Sequence, residues 1–191
     1  MNNMKTADKK KLEYLNKELN TNYTSLNKVG WITISKSLIL SESFIREFKD
    51  RVNWICISRY QTLSEDFIRE FQYDVDWRWI SRSQTLSESF IREFKDRVNW
   101  ICISANQKLS EDFIREFQYD VDWYWISMYQ TLSESFIREF DNKVNWEYIS
   151  MFQTLSEPFI LEFKNYVDWK EILQHQNLSE NFIKEFQDRI K

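Results

Sequence analysis

The stretch SESFIREFKDRVNWICIS at residues 41–58 returns unchanged at residues 87–104. Two identical strings 46 positions apart imply internal repetition, and a shorter period lies inside that distance. Tryptophans stand at 31, 54, 77, 100, 123, 146 and 169, each 23 residues after the one before. With slots 1–23 counted from each Trp, seven units fill residues 31–191 without insertion. The tails alternate, KDRVN, QYDVD, KDRVN, QYDVD, so the longer copy reads as the duplication of a two-unit block.

Seven slots are apolar in every unit: Trp at 1, Ile at 4, Leu at 10, Phe at 14, Ile at 15, Phe at 18, Val or Ile at 22. Slots 1 and 4, and slots 14, 15 and 18, have helical spacing, and the strict alternation of a strand is absent. The spacing predicts two short helices per unit, A from about slot 1 and B from about slot 12. Ser at slot 11 in all seven units is an N-cap for B, and Asn or Asp at slot 23 in six units is an N-cap for A. Leu at slot 10 with Ile at 15, and Val at 22 with Ile at 4, have the spacing of hydrophobic staples. Pro158 falls in the first turn of a B helix, where a missing amide hydrogen does little harm.

A lone hairpin of this size leaves part of its apolar face in water, and stacked neighbours cover it. The predicted fold is all-α: an α-solenoid, a superhelical stack of short helical hairpins, over residues 31–191. Residues 1–30 form a lead-in with a capping helix over 8–20, DKKKLEYLNKELN. There Asp8 is a candidate cap, and Leu12, Leu15 and Leu19 share one side. One Gly and one Pro in 191 residues are too few for the turns of a β-sandwich or barrel.

The pattern V-[DN]-W-x-x-I-S-x-x-Q-x-L-S-E-x-F-I-R-E-F resembles tandem Trp-containing repeats in proteins of giant, AT-rich DNA viruses. The resemblance covers 31–191 and implies a host-cytoplasmic location. It carries no assigned chemistry. The last unit departs from the pattern, with Leu173 for Ser, Lys184 for Arg and Lys191 for the Asn/Asp cap, as suits a terminal unit.

Glu recurs at slots 12 and 17 in all units and Arg at slot 16 in five. A carboxylate repeated at equal intervals reads as structure, since an active site occurs once or twice in a chain. Glu at slot 12 sits four residues before Arg at slot 16, a favourable helical pair. Glu at slot 17 is a candidate acceptor for the Trp indole proton. Gln at slot 8 in six units is expected to bond backbone groups of its own or the next unit, because a buried amide needs partners. Ser at slot 5 in six units reads as a small residue for close helix packing.

His175 is the only histidine and Gly30 the only glycine, so neither an HExxH pair nor a Gly-rich phosphate loop is present. Cys56 and Cys102 give no disulfide framework. The expectation is a non-enzymatic protein with no cofactor and no metal. The longest apolar runs fall short of a membrane span, and the N-terminus lacks the apolar segment of a secretory signal. An intracellular, cytoplasmic protein is therefore expected. A net charge of −4 argues against a general nucleic-acid binder.

In repeat proteins the varied positions on one face usually meet the partner. Here those are slots 2, 3, 6 and 7 of helix A. They supply the candidate partner-binding residues Arg59, Tyr60, Arg78, Trp79 and Arg82 in the second and third units. In the fifth and sixth they supply Tyr124, Trp125, Met128, Tyr129, Tyr148, Met151 and Phe152. Either slots 3 and 7 enlarge the core between A helices, or they form an exposed aromatic band, a composition typical of interfaces. The leading expectation is a scaffold for an unidentified protein partner, monomeric or weakly self-associating. The alternatives are single-stranded RNA read one base per repeat, against which the negative charge counts, and a self-assembling filament.

Overall fold

The computed structural model describes residues 6–186. Among them the regular structure is fifteen α-helices and one 3-10 turn, with no strand. The chain divides into two compact units, Met1–Gln84 and Thr85–Lys191. The first holds α1 (Thr6–Leu19) and the helices α2 (Trp31–Ser37), α3 (Glu42–Glu47), α4 (Trp54–Tyr60), α5 (Glu65–Glu70) and α6 (Trp77–Ser83). The second holds α7 (Glu88–Glu93), α8 (Trp100–Asn106), α9 (Glu111–Glu116), α10 (Trp123–Tyr129) and α11 (Glu134–Glu139). It continues through α12 (Trp146–Phe152), α13 (Glu157–Glu162), α14 (Trp169–His175) and α15 (Glu180–Phe186). Helix A stacks on helix A: α2 on α4 and α4 on α6 in the first unit, α8, α10, α12 and α14 in succession in the second. Each unit is thus an α-solenoid array of helical hairpins.

Helix boundaries follow the caps. Ser41 Oγ accepts from the Phe44 amide at 3.2 Å, and Asn53 Oδ1 accepts from the Cys56 amide at 2.9 Å. The same two devices recur along the chain, as at Ser133 and Asp122. Gly30 starts α2 without a side-chain cap. Ile190 and Lys191, which the repeat places in slots 22 and 23, lie outside the described residues.

Six of the seven apolar slots are buried from the first unit to the sixth. Phe67 and Ile68, like Phe136 and Ile137, are completely so, and each such side chain contributes about 1.5–3 kcal/mol. The slot 1 Trp differs. It is only half-buried and lies over the slot 18 Phe, as Trp54 over Phe71 at 5.0 Å between ring centres. Its indole donates to a backbone carbonyl five residues back, Trp54 to Lys49 at 3.1 Å and Trp123 to Gln118 at 3.0 Å. Glu at slot 17 is therefore not the indole acceptor. It belongs to a ladder between B helices, where Arg46 Nε meets Glu70 at 2.7 Å and Arg138 Nε meets Glu162 at 2.8 Å. The slot 19 carbonyl lies within reach of the indole N–H, and the slot 17 carboxylate meets the preceding hairpin's guanidinium.

The constant polar slots close and join the hairpins. Ser58 Oγ donates to the Trp54 carbonyl at 2.7 Å and accepts from the Asp76 amide at 2.9 Å, tying the end of one unit to its first helix. Gln61 bonds the preceding unit: Nε2 to the carbonyls of Ser35 and Leu38, Oε1 to the Leu40 amide. Glu42 Oε1 accepts from the Ser64 amide of the following unit at 2.7 Å.

Helix α1 stands where a preceding B helix would. Lys11 meets Glu47 at 3.2 Å, in place of the slot 16 Arg, and Tyr14 stacks on Phe48. Leu12 and Leu15 are buried, Leu19 half-buried. Asp8 lies inside the first turn rather than at the cap, where it favours the helix dipole. Asn20, at φ 49, ends the helix in the left-handed conformation that Asn tolerates.

Candidate interaction surface

Because slots 1 and 4 face the core, a rotation of about 100° per residue turns slots 2, 3, 6 and 7 all about 90° or more away from it. The structure follows this. Tyr124, Tyr129 and Phe152 expose 45%, 55% and 48% of their surface. Trp125, Met128, Tyr148 and Met151 are half-buried. Slot 3 side chains are therefore neither core nor fully exposed, which neither extreme expectation described.

On α10 and α12 the predicted aromatic residues meet. Trp125 and Tyr129 stack with planes 3° apart and centres 5.5 Å apart. Tyr124 packs edge-on against Trp125 at 4.9 Å and against Tyr148 at 4.7 Å, and Tyr148 lies 6.0 Å from Phe152. The Tyr148 hydroxyl donates to the Tyr124 hydroxyl at 2.5 Å. That bond pushes the Tyr148 phenol up to about 12, because the phenolate would lose it, with burial and the neighbouring Tyr124 charge acting in the same direction. Next to Tyr129 the small slot 6 and 7 residues of α8, Ala105 and Asn106, leave a depression of about 460 Å³ that also touches Leu109 and Thr131.

The first unit carries a different surface. Arg59 lies 4.0 Å from the Trp79 ring and 4.8 Å from the Tyr60 ring, and Arg82 lies 5.5 Å from Trp79. Arg78 is exposed on the first turn of α6, outside this stack. Lys36, absent from the sequence-based set, sits 5.8 Å from Tyr60 and begins the same row. Its signal was positional: Lys36, Arg59 and Arg82 occupy slot 6 of three consecutive units.

Among the described residues no group of three or more His, Cys, Asp or Glu is placed to hold a metal ion. His175 Nε2 lies 3.2 Å from Glu171 Oε2, a pair within the last A helix. Cys56 and Cys102 are free and half-buried. No helix of the described residues is long and apolar enough to cross a membrane. No family model, curated protein or solved structure matches the chain.

Proposed function

We propose that the chain is a non-enzymatic repeat scaffold that binds a protein through the variable positions of its A helices, centred on Tyr124, Trp125, Tyr129, Tyr148 and Phe152. The observation that carries this reading is the contiguity of those rings. Each is held by another ring, so binding would order few further side chains and lose little entropy. Tyr and Trp also combine large contact area with few rotatable bonds. Met128 and Met151 flank the band with adaptable side chains. The depression beside Tyr129 offers a socket for a projecting partner residue.

This reading takes the protein as intracellular, in host cytoplasm on the viral resemblance, and as monomeric or weakly self-associating. Nucleic acid is disfavoured as a partner of the band, since α10 and α12 carry no Lys or Arg. The test is capture on immobilised full chain, comparing the wild type with a Tyr129→Ser, Phe152→Ser double variant. A partner retained by the wild type and lost from the variant, at equal melting temperature, supports the proposal. Equal recovery on both overturns it.

A further inference from the structure

The cations of this chain are sorted by face. On the B helices Arg46, Arg92, Arg115 and Arg138 each meet a carboxylate of the following hairpin at 2.7–2.8 Å. On the A helices of the first unit the opposite holds. Helices α2, α4 and α6 read WITISKS, WICISRY and WRWISRS, with no acidic residue among them. Among the described residues, no carboxylate lies at ion-pair distance from Lys36, Arg59, Arg78 or Arg82. In a chain of net charge −4, the row of Lys36, Arg59 and Arg82, each beside an aromatic ring and without an ion pair among the described residues, is a surface that lacks its counter-charge.

We infer that this face of α2, α4 and α6 docks an extended acidic peptide segment of a partner protein, its carboxylates placed one per A helix against Lys36, Arg59 and Arg82. This rests on reading the A-helix face as the interaction surface. Three features select the ligand. Guanidinium groups lying on Trp79 and Tyr60 keep their edge N–H groups available, and that fork matches a carboxylate in two-point geometry. The ring faces themselves are occupied by Arg59 and Arg82, so a nucleobase would have to displace a guanidinium before stacking. Equivalent slots on stacked helices lie about 8–10 Å apart. A polyproline-II segment repeats every three residues, about 9 Å, so an acidic residue at every third position meets each cation in turn. A β-strand presents one side every ~6.7 Å and falls out of step.

The test is fluorescence anisotropy on the full chain with labelled repeats of Glu-Pro-Pro, Gln-Pro-Pro and Lys-Pro-Pro, and with oligouridylate matched in charge to the first. The glutamate peptide is expected to bind, to weaken with salt, and to lose at least about tenfold in affinity to an Arg59→Glu, Arg82→Glu double variant. That variant is expected to take the lysine peptide instead. Should charge reversal disturb folding by circular dichroism, Arg59→Gln with Arg82→Gln serves in its place, with the same loss expected. Tyr129→Ser should leave this binding unchanged, so failure here and failure of the aromatic-band reading are seen separately. No binding of the glutamate peptide, equal binding of the glutamine peptide, or insensitivity to both variants overturns the inference. Tighter binding of oligouridylate overturns it in favour of nucleic acid.

Discussion

The side-chain amide of Gln130 donates to the carbonyl of Ser104 at 3.1 Å, reaching from the end of one A helix to the end of the preceding one. The same nitrogen donates to the Gln107 carbonyl at 2.8 Å, and Oε1 accepts from the Leu109 amide at 3.0 Å. The last carbonyls of a helix lack internal partners. Here a neighbour's side chain supplies them, so the cap of one hairpin is also its bond to the next. Gln153 and Gln176 repeat the arrangement.

Gln130→Leu should therefore cost more than its change in size suggests. It removes all of these hydrogen bonds and leaves buried backbone groups without partners, a loss of about 2–4 kcal/mol. Urea unfolding should show a lower midpoint with an unchanged slope. A loss under about 0.5 kcal/mol, ordinary for a surface site, would refute the bridging role.

Ser127 makes a complementary closure within one hairpin. It is fully buried, donates to the Trp123 carbonyl at 2.7 Å, and accepts from the Asn145 amide at 2.9 Å. Ser127→Ala should destabilise by roughly 1–3 kcal/mol, because the Asn145 amide loses its acceptor. Amide hydrogen exchange at Asn145 is expected to accelerate, and unchanged protection there counts against this account.

The Tyr148 phenol, raised to about 12, gives the second unit a pH dependence in alkali. Its pKa is higher folded than the ordinary value near 10. The associated stability is complete below pH 10 and is lost as pH rises towards 12. Tyr124→Phe removes the hydroxyl that Tyr148 bonds. Ultraviolet titration of that variant should return Tyr148 towards the ordinary value, whereas a titration matching the wild type would show that Tyr124 is not the cause.

Repetition made much of this legible before the structure. Ser133, Asp122 and the apolar slots act within a few residues of themselves, so their spacing specifies helices A and B and their starts. The cross-hairpin partners were harder to read. Arg138 pairs with Glu162 because of how far one hairpin steps along the stack, and nothing local to either residue records that step. The Trp123 indole found a backbone carbonyl, an acceptor every residue carries. Trp125 and Tyr148 sit half-buried because slot 3 lies at the edge of the A-helix contact, where depth depends on the side chains of the adjacent helix. That the aromatic residues share one face was visible in their slots, but the ring pair joining α10 to α12 is Tyr124 in slot 2 with Tyr148 in slot 3, and neither this pair nor the alternation of Lys36, Tyr60, Arg59, Trp79 and Arg82 follows from slot numbers alone.

Trp125 and Tyr129 should separate stability from binding. Trp125 is half-buried, so Trp125→Ala should cost about 1.5–2.5 kcal/mol, roughly half the full core value. Tyr129 is exposed, and Tyr129→Ser should change stability by no more than about 0.5 kcal/mol. In binding to the partner captured by the wild type, both should lose about 2 kcal/mol or more as central anchors of the band. A Tyr129→Ser variant with reduced melting temperature and unchanged affinity would make that ring part of the core instead.

Deleting residues 123–145 tests the fold and the surface together. The deletion joins Asp122 to Trp146, so the N-cap that now serves α10 would serve α12 at the same slot. Gln153, bonded to the Ser127 and Gln130 carbonyls, would meet those of Ser104 and Gln107, the same residue types in the same positions. Arg115 would exchange Glu139 for Glu162. Every framework contact therefore has a successor, and stability should fall only by the loss of one hairpin and its interface. Helical circular dichroism per residue and a cooperative melt are expected to persist. Deleting only residues 123–133 instead sets α11 directly after Asp122, with no A helix between two B helices, and should melt without cooperativity. The longer deletion also removes Tyr124, Trp125 and Tyr129, so partner capture through the band should disappear while binding of the glutamate peptide to α2, α4 and α6 remains. A cooperative melt from the shorter deletion with collapse of the longer one would show that the hairpin, as bounded here, is not the unit of folding.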